Sequence, residues 1–289
     1  MPIQQPLSLH PCIVGWRLPW PALAELAAKI GYGGAVIARE QVLPAAARGR
    51  VPATAMQLAA EVRRDEATFL SSLPRLHSAG RFADEVGCRV AYVGLSPSSE
   101  QPRDIQAAIY RERLRRCCEI LDEYSIRLAL ECITPLHMRK AHPYEFIWRN
   151  AEMLDLGLAV SPRCGLVIDS WHWHHAGADP DWIRTIPAER ILDVHIADSP
   201  AALPEDIRDS ERLLPGEGVL NFRTFFDLLE EKEYRGAYTA EVFSSRLSAM
   251  DPESAARLAF EAATATVRNC GRRPLASTGS ATAPDSAEA

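Results

Sequence analysis

Eight short apolar runs, each followed by a loop and a longer stretch of helical period, divide this chain and constrain its fold more than any other feature. The runs are 11–16 (PCIVGW), 34–38 (GAVIA), 52–58 (PATAMQL), 88–95 (CRVAYVGL), 126–132 (IRLALEC), 164–170 (CGLVIDS), 191–197 (ILDVHIA) and 236–242 (GAYTAEV). Several are apolar continuously rather than alternately, as strands covered on both faces are. The intervening amphipathic stretches include 21–30, 76–86, 105–124, 143–156 and 222–233, and a last helix is expected over Pro252–Asn269. Pro21 suits a helix start, and Gly31 and Gly87 suit helix ends. Alternation of this density means parallel β-α-β units, and eight of them favour a closed (β/α)8 TIM barrel over an open doubly wound sheet. The open sheet would want a glycine-rich phosphate turn after its first strand, and Gly15-Trp16-Arg17 is no such turn. A length of 289 residues fits one barrel. A single catalytic domain over 1–270 is expected, with the small, polar, Pro-containing segment 271–289 as a disordered tail.

Composition narrows the function. With 47% hydrophobic and 24% charged residues, there is material for a large core. The net charge of -6 argues against a protein that lives on a phosphate backbone, so no nucleic-acid partner is expected. Lys29, Lys140 and Lys232 are the sole lysines, and two lie in helix-like stretches, which disfavours Schiff-base chemistry. Seven cysteines without a C-x-x-C pair suggest neither a disulfide framework nor a thiolate metal site. The N-terminal MPIQQPLSLHP lacks a secretory pattern, and no apolar run reaches the roughly 18 residues of a membrane span. A soluble, cytoplasmic protein with a small-molecule partner is expected.

In a barrel of this kind, residues at the C-terminal ends of the strands face the active site. The fifth run ends on Glu131, the sixth on Asp169 with His172 just beyond, the seventh on His195 and then Asp198, and the eighth on Glu241. Four successive strands thus carry an ionisable residue at one level, three of them carboxylates, and these are costly to bury together unless something positive sits among them. Two Glu, one Asp and one His make an oxygen-rich cage suited to one divalent ion, Mn²⁺ first, with Mg²⁺, Co²⁺ or Zn²⁺ also compatible.

These segments resemble the sugar phosphate isomerase/epimerase family of the xylose isomerase-like TIM barrel superfamily. LALE, GLVIDSWHWHHAG, VHIAD, ERLLPGEG and AEVF stand in that family's order, and the look is closest to keto-inositol isomerases. The resemblance spans about residues 10 to 270. It implies that Glu131, Asp169, His195 and Glu241 are metal ligands, that His172 contacts substrate, and that Arg212 binds a substrate oxygen. It further implies an isomerase or epimerase of a keto-sugar or keto-polyol. There a metal-stabilised enediolate would form, with Glu131 and Glu241 as acid and base and His172 as proton shuttle. Expulsion of a hydroxyl from the same enediolate would make the enzyme a dehydratase instead. Where ketose 3-epimerases carry a second carboxylate six residues after the strand-five Glu, this chain has His137, which points away from that activity. The segment 199–211 is longer than in those epimerases. His174 and Trp16 are further pocket candidates, Trp16 because an aromatic face suits a sugar ring. An apurinic endonuclease would need histidines after strands three and four, where the chain has Gln57-Leu58 and Leu95-Ser96. Related barrels are often dimers or tetramers, and no stretch of this sequence marks an interface. Pro215-Gly216-Glu217-Gly218 reads as a plain turn, and the Arg111–Arg116 run as a solvated helix face.

Overall fold

The computed structural model describes residues 5–39 and 50–271. The expected tail therefore lies, from residue 272 onward, outside the described residues. Eight parallel strands close into a barrel: β1 Leu7–Leu9, β2 Gly34–Ile37, β3 Ala53–Gln57, β4 Val90–Leu95, β5 Arg127–Cys132, β6 Gly165–Asp169, β7 Ile191–Ile196 and β8 Tyr238–Ala240. Each strand pairs with its sequence neighbours, and β8 returns to β1 through Leu7↔Tyr238. A small antiparallel pair, Ser98–Ser99 with Tyr144–Glu145, sits over the loops after β4 and β5. Among the described residues no helix is long and apolar enough to cross a membrane.

Seven strands fall where the apolar runs place them, and the first does not. PCIVGW forms a 3₁₀ turn over Pro11–Val14, capped by Gly15 in the left-handed region at φ 62°. Pro11 lacks an N–H for a barrel ladder, so the strand is the preceding Leu-Ser-Leu. Helix boundaries shift for similarly local reasons. The helix expected from 76 begins at Glu66, because Asp65 caps it by accepting from the Thr68 N–H at 3.0 Å, and it runs through Pro74. The stretch 143–156 becomes a helix only over Asn150–Leu158. Pro252–Asn269 stands as expected, with Asp251 accepting from the Ser254 N–H and Pro in the first turn.

Two apolar layers result. The larger lies between strands and helices and buries Trp20, Trp171, Trp173, Phe69, Phe225 and Phe226 completely or nearly so. A separate small cluster, Val36, Ala55, Tyr92, Ala129 and Val167, fills the barrel interior. The arginine run is only partly a solvated face. Arg115 and Arg116 pair with Glu112 on the surface. Arg113 is buried instead, donating to the carbonyls of Val62 and Arg64 at 2.9 and 2.6 Å and lying over the Phe69 ring. Helical period allows this, since Arg113 faces the neighbouring helix while residues two and three positions on face water.

Candidate metal centre

Inward-facing positions recur every second residue along a strand. Above the interior cluster, Ala129 is followed by Glu131 on β5 and Val167 by Asp169 on β6, so both carboxylates share the next level. Asp169 stands directly opposite His195 on β7, and His195 opposite Thr239, two residues before Glu241. Gly94 on β4 is the Cα partner of Glu131. A Cβ there would lie 2.9 Å from Ile133 Cδ1 and 3.4 Å from Glu131 Oε2, so glycine leaves the carboxylate its room.

Glu131, Asp169, His195 and Glu241 are all buried, and each offers a ligand atom within 4.8 Å of the others. His195 Nδ1 lies 3.4 Å from Glu131 Oε1 and 3.4 Å from Glu241 Oε2, while its Nε2 faces Asp193 Oδ2 at 3.4 Å. An imidazole with one nitrogen toward a carboxylate cluster and the other toward a supporting carboxylate has the arrangement of a metal-ligating histidine. Glu131 Oε1 and both His195 ring nitrogens have no hydrogen-bond partner, although they are buried. Unpaired buried polar atoms are expensive, and a divalent ion would satisfy the inward-facing ones together. The donor set fits a hard cation.

Charge in the cluster is shared unevenly. Burial, then the neighbouring Glu241 charge, pushes Glu131 up to about 7. Burial works against Glu241 too, but His195, His10 and Arg212 outweigh it and hold the carboxyl well below its usual range. Burial depresses His195, yet Glu241, Asp193 and Glu131 more than offset this and keep the imidazole protonated. Arg212 is buried, bonded to Asp169 Oδ2 at 2.8 Å and Asp209 Oδ1 at 2.8 Å, and pairs with Glu241 Oε2 at 3.3 Å. Its guanidinium lies over Trp171 and Phe243, at 4.7 and 5.0 Å from the ring centres. Asp169 and Glu241 thus share an arginine, and Glu131 and His195 have none.

His172 lies beside the cluster, buried, with Nε2 3.2 Å from Arg212 Nη2 and Nδ1 3.3 Å from Thr134 Oγ1. Arg212 can only donate toward Nε2, and the Thr134 N–H approaches Nδ1 at 3.4 Å, so donors meet the ring on both sides. Burial lowers the His172 pKa and keeps the ring neutral. A cavity of about 210 Å³ opens over the cluster and is lined by Glu131, Glu241, Arg212 and Asp209 on one side. Arg39, Gln57, Arg63 and Tyr92 also line it. Asp169, His172 and His195 stand behind that lining, and Trp16 and His174 are not part of it. Trp16 is 43% exposed with its ring edge-on to His10 at 5.4 Å, and His174 stacks edge-on with His175. His137 is half-buried beyond the strand-five loop. Asp198 belongs to the framework: its carboxylate accepts the N–H groups of Ser199, Gly216, Gly218 and Leu220 and so shapes the Pro215–Gly218 turn.

Sequence reasoning missed His10. It follows β1, is fully buried, and places Nε2 2.7 Å from Tyr92 Oη and 3.3 Å from Glu241 Oε1. The available signal was the alternating Leu-Ser-Leu before it, which marks the true first strand.

The centre predicts a pH dependence. Ligands must lose their protons before an ion binds, and the metal-free protein holds protons on His195 and, near pH 7, on Glu131. Mn²⁺ affinity should rise steadily between pH 6 and 8 with release of one to two protons per ion. Calorimetry in buffers of different ionisation enthalpy reads this directly, and a pH-independent affinity would contradict it.

Comparison with known proteins agrees with this architecture. The profile of the xylose isomerase-like TIM barrel family matches residues 38–265. An inosose isomerase of Halalkalibacterium halodurans is 24% identical over 200 residues, covering 68% of each chain. A 3-dehydroshikimate dehydratase of Pseudomonas putida is 29% identical over 108 residues, 37% of this chain but only 16% of that protein. Among solved structures, a xylose isomerase domain protein from Alicyclobacillus acidocaldarius superposes with TM-score 0.81 at 27% identity, covering 92% of this chain and 99% of its own. The IOLI protein, solved with a bound zinc atom, has TM-score 0.77 at 17% identity over 92% of this chain and 99% of its own.

Proposed function

The chain belongs to the xylose isomerase-like TIM barrel family, and from that premise we propose that it is a divalent-metal-dependent isomerase or epimerase of a keto-sugar or an inosose-like keto-polyol. The observation that carries this reading is the buried four-residue donor set in which Glu131 and His195 meet at 3.4 Å without a hydrogen bond, at the floor of an open cavity. Glu131, Asp169, His195 and Glu241 are the proposed ligands, and their oxygen-rich set favours manganese. When bound, such an ion polarises a substrate carbonyl and makes the neighbouring C–H more acidic. Glu131 and Glu241 flank the carbon: one removes that proton at a carboxylate oxygen, and a proton returns either to the neighbouring carbon from the same carboxyl group, for isomerisation, or to the opposite face from the other once it has taken a proton from solvent, for epimerisation. Arg212 fixes Asp169 and Glu241 and faces the cavity, where it can donate to a substrate oxygen. His172, neutral and locked by Thr134 and Arg212, moves a proton between substrate oxygens. We place the enzyme in the cytoplasm, where reduced thiols persist: Cys118 and Cys164 lie unbonded with Sγ atoms 3.7 Å apart.

A second reading, β-elimination of water from a similar substrate, is favoured by the partial likeness to a dehydratase. In it His172 protonates the departing hydroxyl. Proton NMR of keto-inositols and keto-sugars, both neutral and bearing a carboxylate or phosphate, in D₂O with the Mn²⁺-loaded enzyme separates the two. Solvent deuterium gained without loss of water supports isomerisation or epimerisation, and an enone supports elimination. No exchange with any member of the panel would overturn both.

His172→Ala is expected to lower kcat/KM by about 10²–10⁴ while metal content stays near one ion per chain. Equal loss of metal and activity would make His172 a ligand and remove its proposed role.

A further inference from the structure

The wall of the cavity built from β2, β3, β4 and the loop after β3 is rich in side-chain hydrogen-bond donors. Tyr92 is one such donor by necessity. The Cys12 N–H donates to His10 Nδ1 at 3.2 Å, so the His10 proton sits on Nε2, and Nε2 points at Tyr92 Oη at 2.7 Å. With its oxygen receiving that proton, the phenol directs its own O–H elsewhere. Tyr92 lines the cavity, and no other partner for its hydroxyl is found among the described residues. Gln57 is fixed in the same sense: its Oε1 accepts the Arg39 N–H at 3.3 Å, which leaves its NH₂ as the free end. Arg39 and Arg63 can only donate.

Charge follows the same pattern. Glu61 is shared by Arg39 at 3.1 Å and Arg75 at 2.8 Å, so one carboxylate faces two guanidinium groups. Arg63 has no ion pair among the described residues, yet its backbone is held, because buried Arg113 clamps the carbonyls of Val62 and Arg64 on either side. The rest of the lining carries Glu131, Glu241 and Asp209, with Arg212 paired to the last two. A neutral polyol can accept from these donors, but only an anionic oxygen group also offsets the guanidinium charge gathered on this wall.

We propose that the substrate carries an anionic oxygen group, a carboxylate or a phosphate, held by Gln57, Arg39 and Arg63, with the Tyr92 hydroxyl, which adjoins the four-residue cluster through His10 and His195, donating at its near edge. This deepens the isomerase reading and rests on it for the reacting end of the substrate, but binding of the anion can be measured without turnover.

Three ring polyols test it by calorimetry on the Mn²⁺-loaded and metal-free protein: myo-inositol, which is neutral; quinate, which carries a carboxylate; and myo-inositol 1-phosphate. At least one anion should bind about tenfold or more tighter than myo-inositol, and which one does so identifies the group. Arg63→Ala should remove most of that advantage. Tyr92→Phe should weaken the preferred anion about threefold to tenfold and leave myo-inositol unchanged, with the melting temperature of each variant confirming the fold. Equal affinity for all three, no anion binding below 10 mM, or an advantage that survives Arg63→Ala would each overturn the inference. None of these outcomes touches the D₂O exchange test, so the two readings fail separately.

Discussion

Glu241→Gln is expected to lower kcat/KM by about 10³-fold or more and to weaken Mn²⁺ binding sharply. The expectation follows from the position of the carboxylate. Glu241 faces His195 at 3.4 Å, Arg212 at 3.3 Å and His10 at 3.3 Å, and these positive or donating groups hold it ionised in a buried site. Glutamine keeps the shape but removes a ligand charge and the acid–base group at once, and each loss alone is large. It also leaves the Arg212 and His195 charges buried with less compensation, which costs stability as well. Activity assays alongside metal analysis and thermal melts separate these effects. A Glu241→Gln enzyme that is folded, metal-loaded and turning over at the wild-type rate would remove Glu241 from the mechanism.

Asp198→Ala is expected to destabilise the protein by about 3–5 kcal/mol. One buried carboxylate accepts four backbone N–H groups, from Ser199, Gly216, Gly218 and Leu220, at 2.8–3.0 Å. Alanine strands those donors, and no side chain nearby replaces four acceptors. The turn has no slack in which to rearrange: a Cβ on Gly218 would lie 2.2 Å from the Ser199 carbonyl oxygen. A fall in melting temperature of about 6–15 °C should follow. A shift within about 2 °C would show that the turn is held by other contacts. Because the segment after it carries Arg212 on one side and the helix Phe222–Glu231 on the other, partial loss of activity should accompany the loss of stability.

The barrel and its acidic level were legible in the sequence for one physical reason. A closed parallel sheet buries both strand faces, so strands appear as apolar runs, and an ionisable residue at the end of a run is conspicuous. Glu131, Asp169, His195 and Glu241 were found in that way, and the structure brings their ligand atoms within 4.8 Å. The first strand was misplaced because Ile13 and Val14 are β-branched, whereas the real strand, Leu7–Leu9, is three residues long and is followed by His10. His10 was lost with it. The donor wall was invisible for another reason. Tyr92 sits within an apolar run and reads as core, and its role depends on which nitrogen of a distant histidine carries a proton. Arg63 reads as an ordinary surface arginine until Arg113, 50 positions later, is seen to clamp its flanking carbonyls. Trp16, His172 and His174 all follow site-bearing strands in sequence, and none of the three lines the cavity itself.

The account depends on one cation bridging β5 to β8. Anomalous diffraction at the manganese edge, from crystals soaked in Mn²⁺, tests this most directly. One strong peak should appear with an atom from each of Glu131, Asp169, His195 and Glu241 within about 2.5 Å. A map without a peak among those four side chains, with His195 still paired to Glu131 and Glu241 as it is without metal, would contradict it.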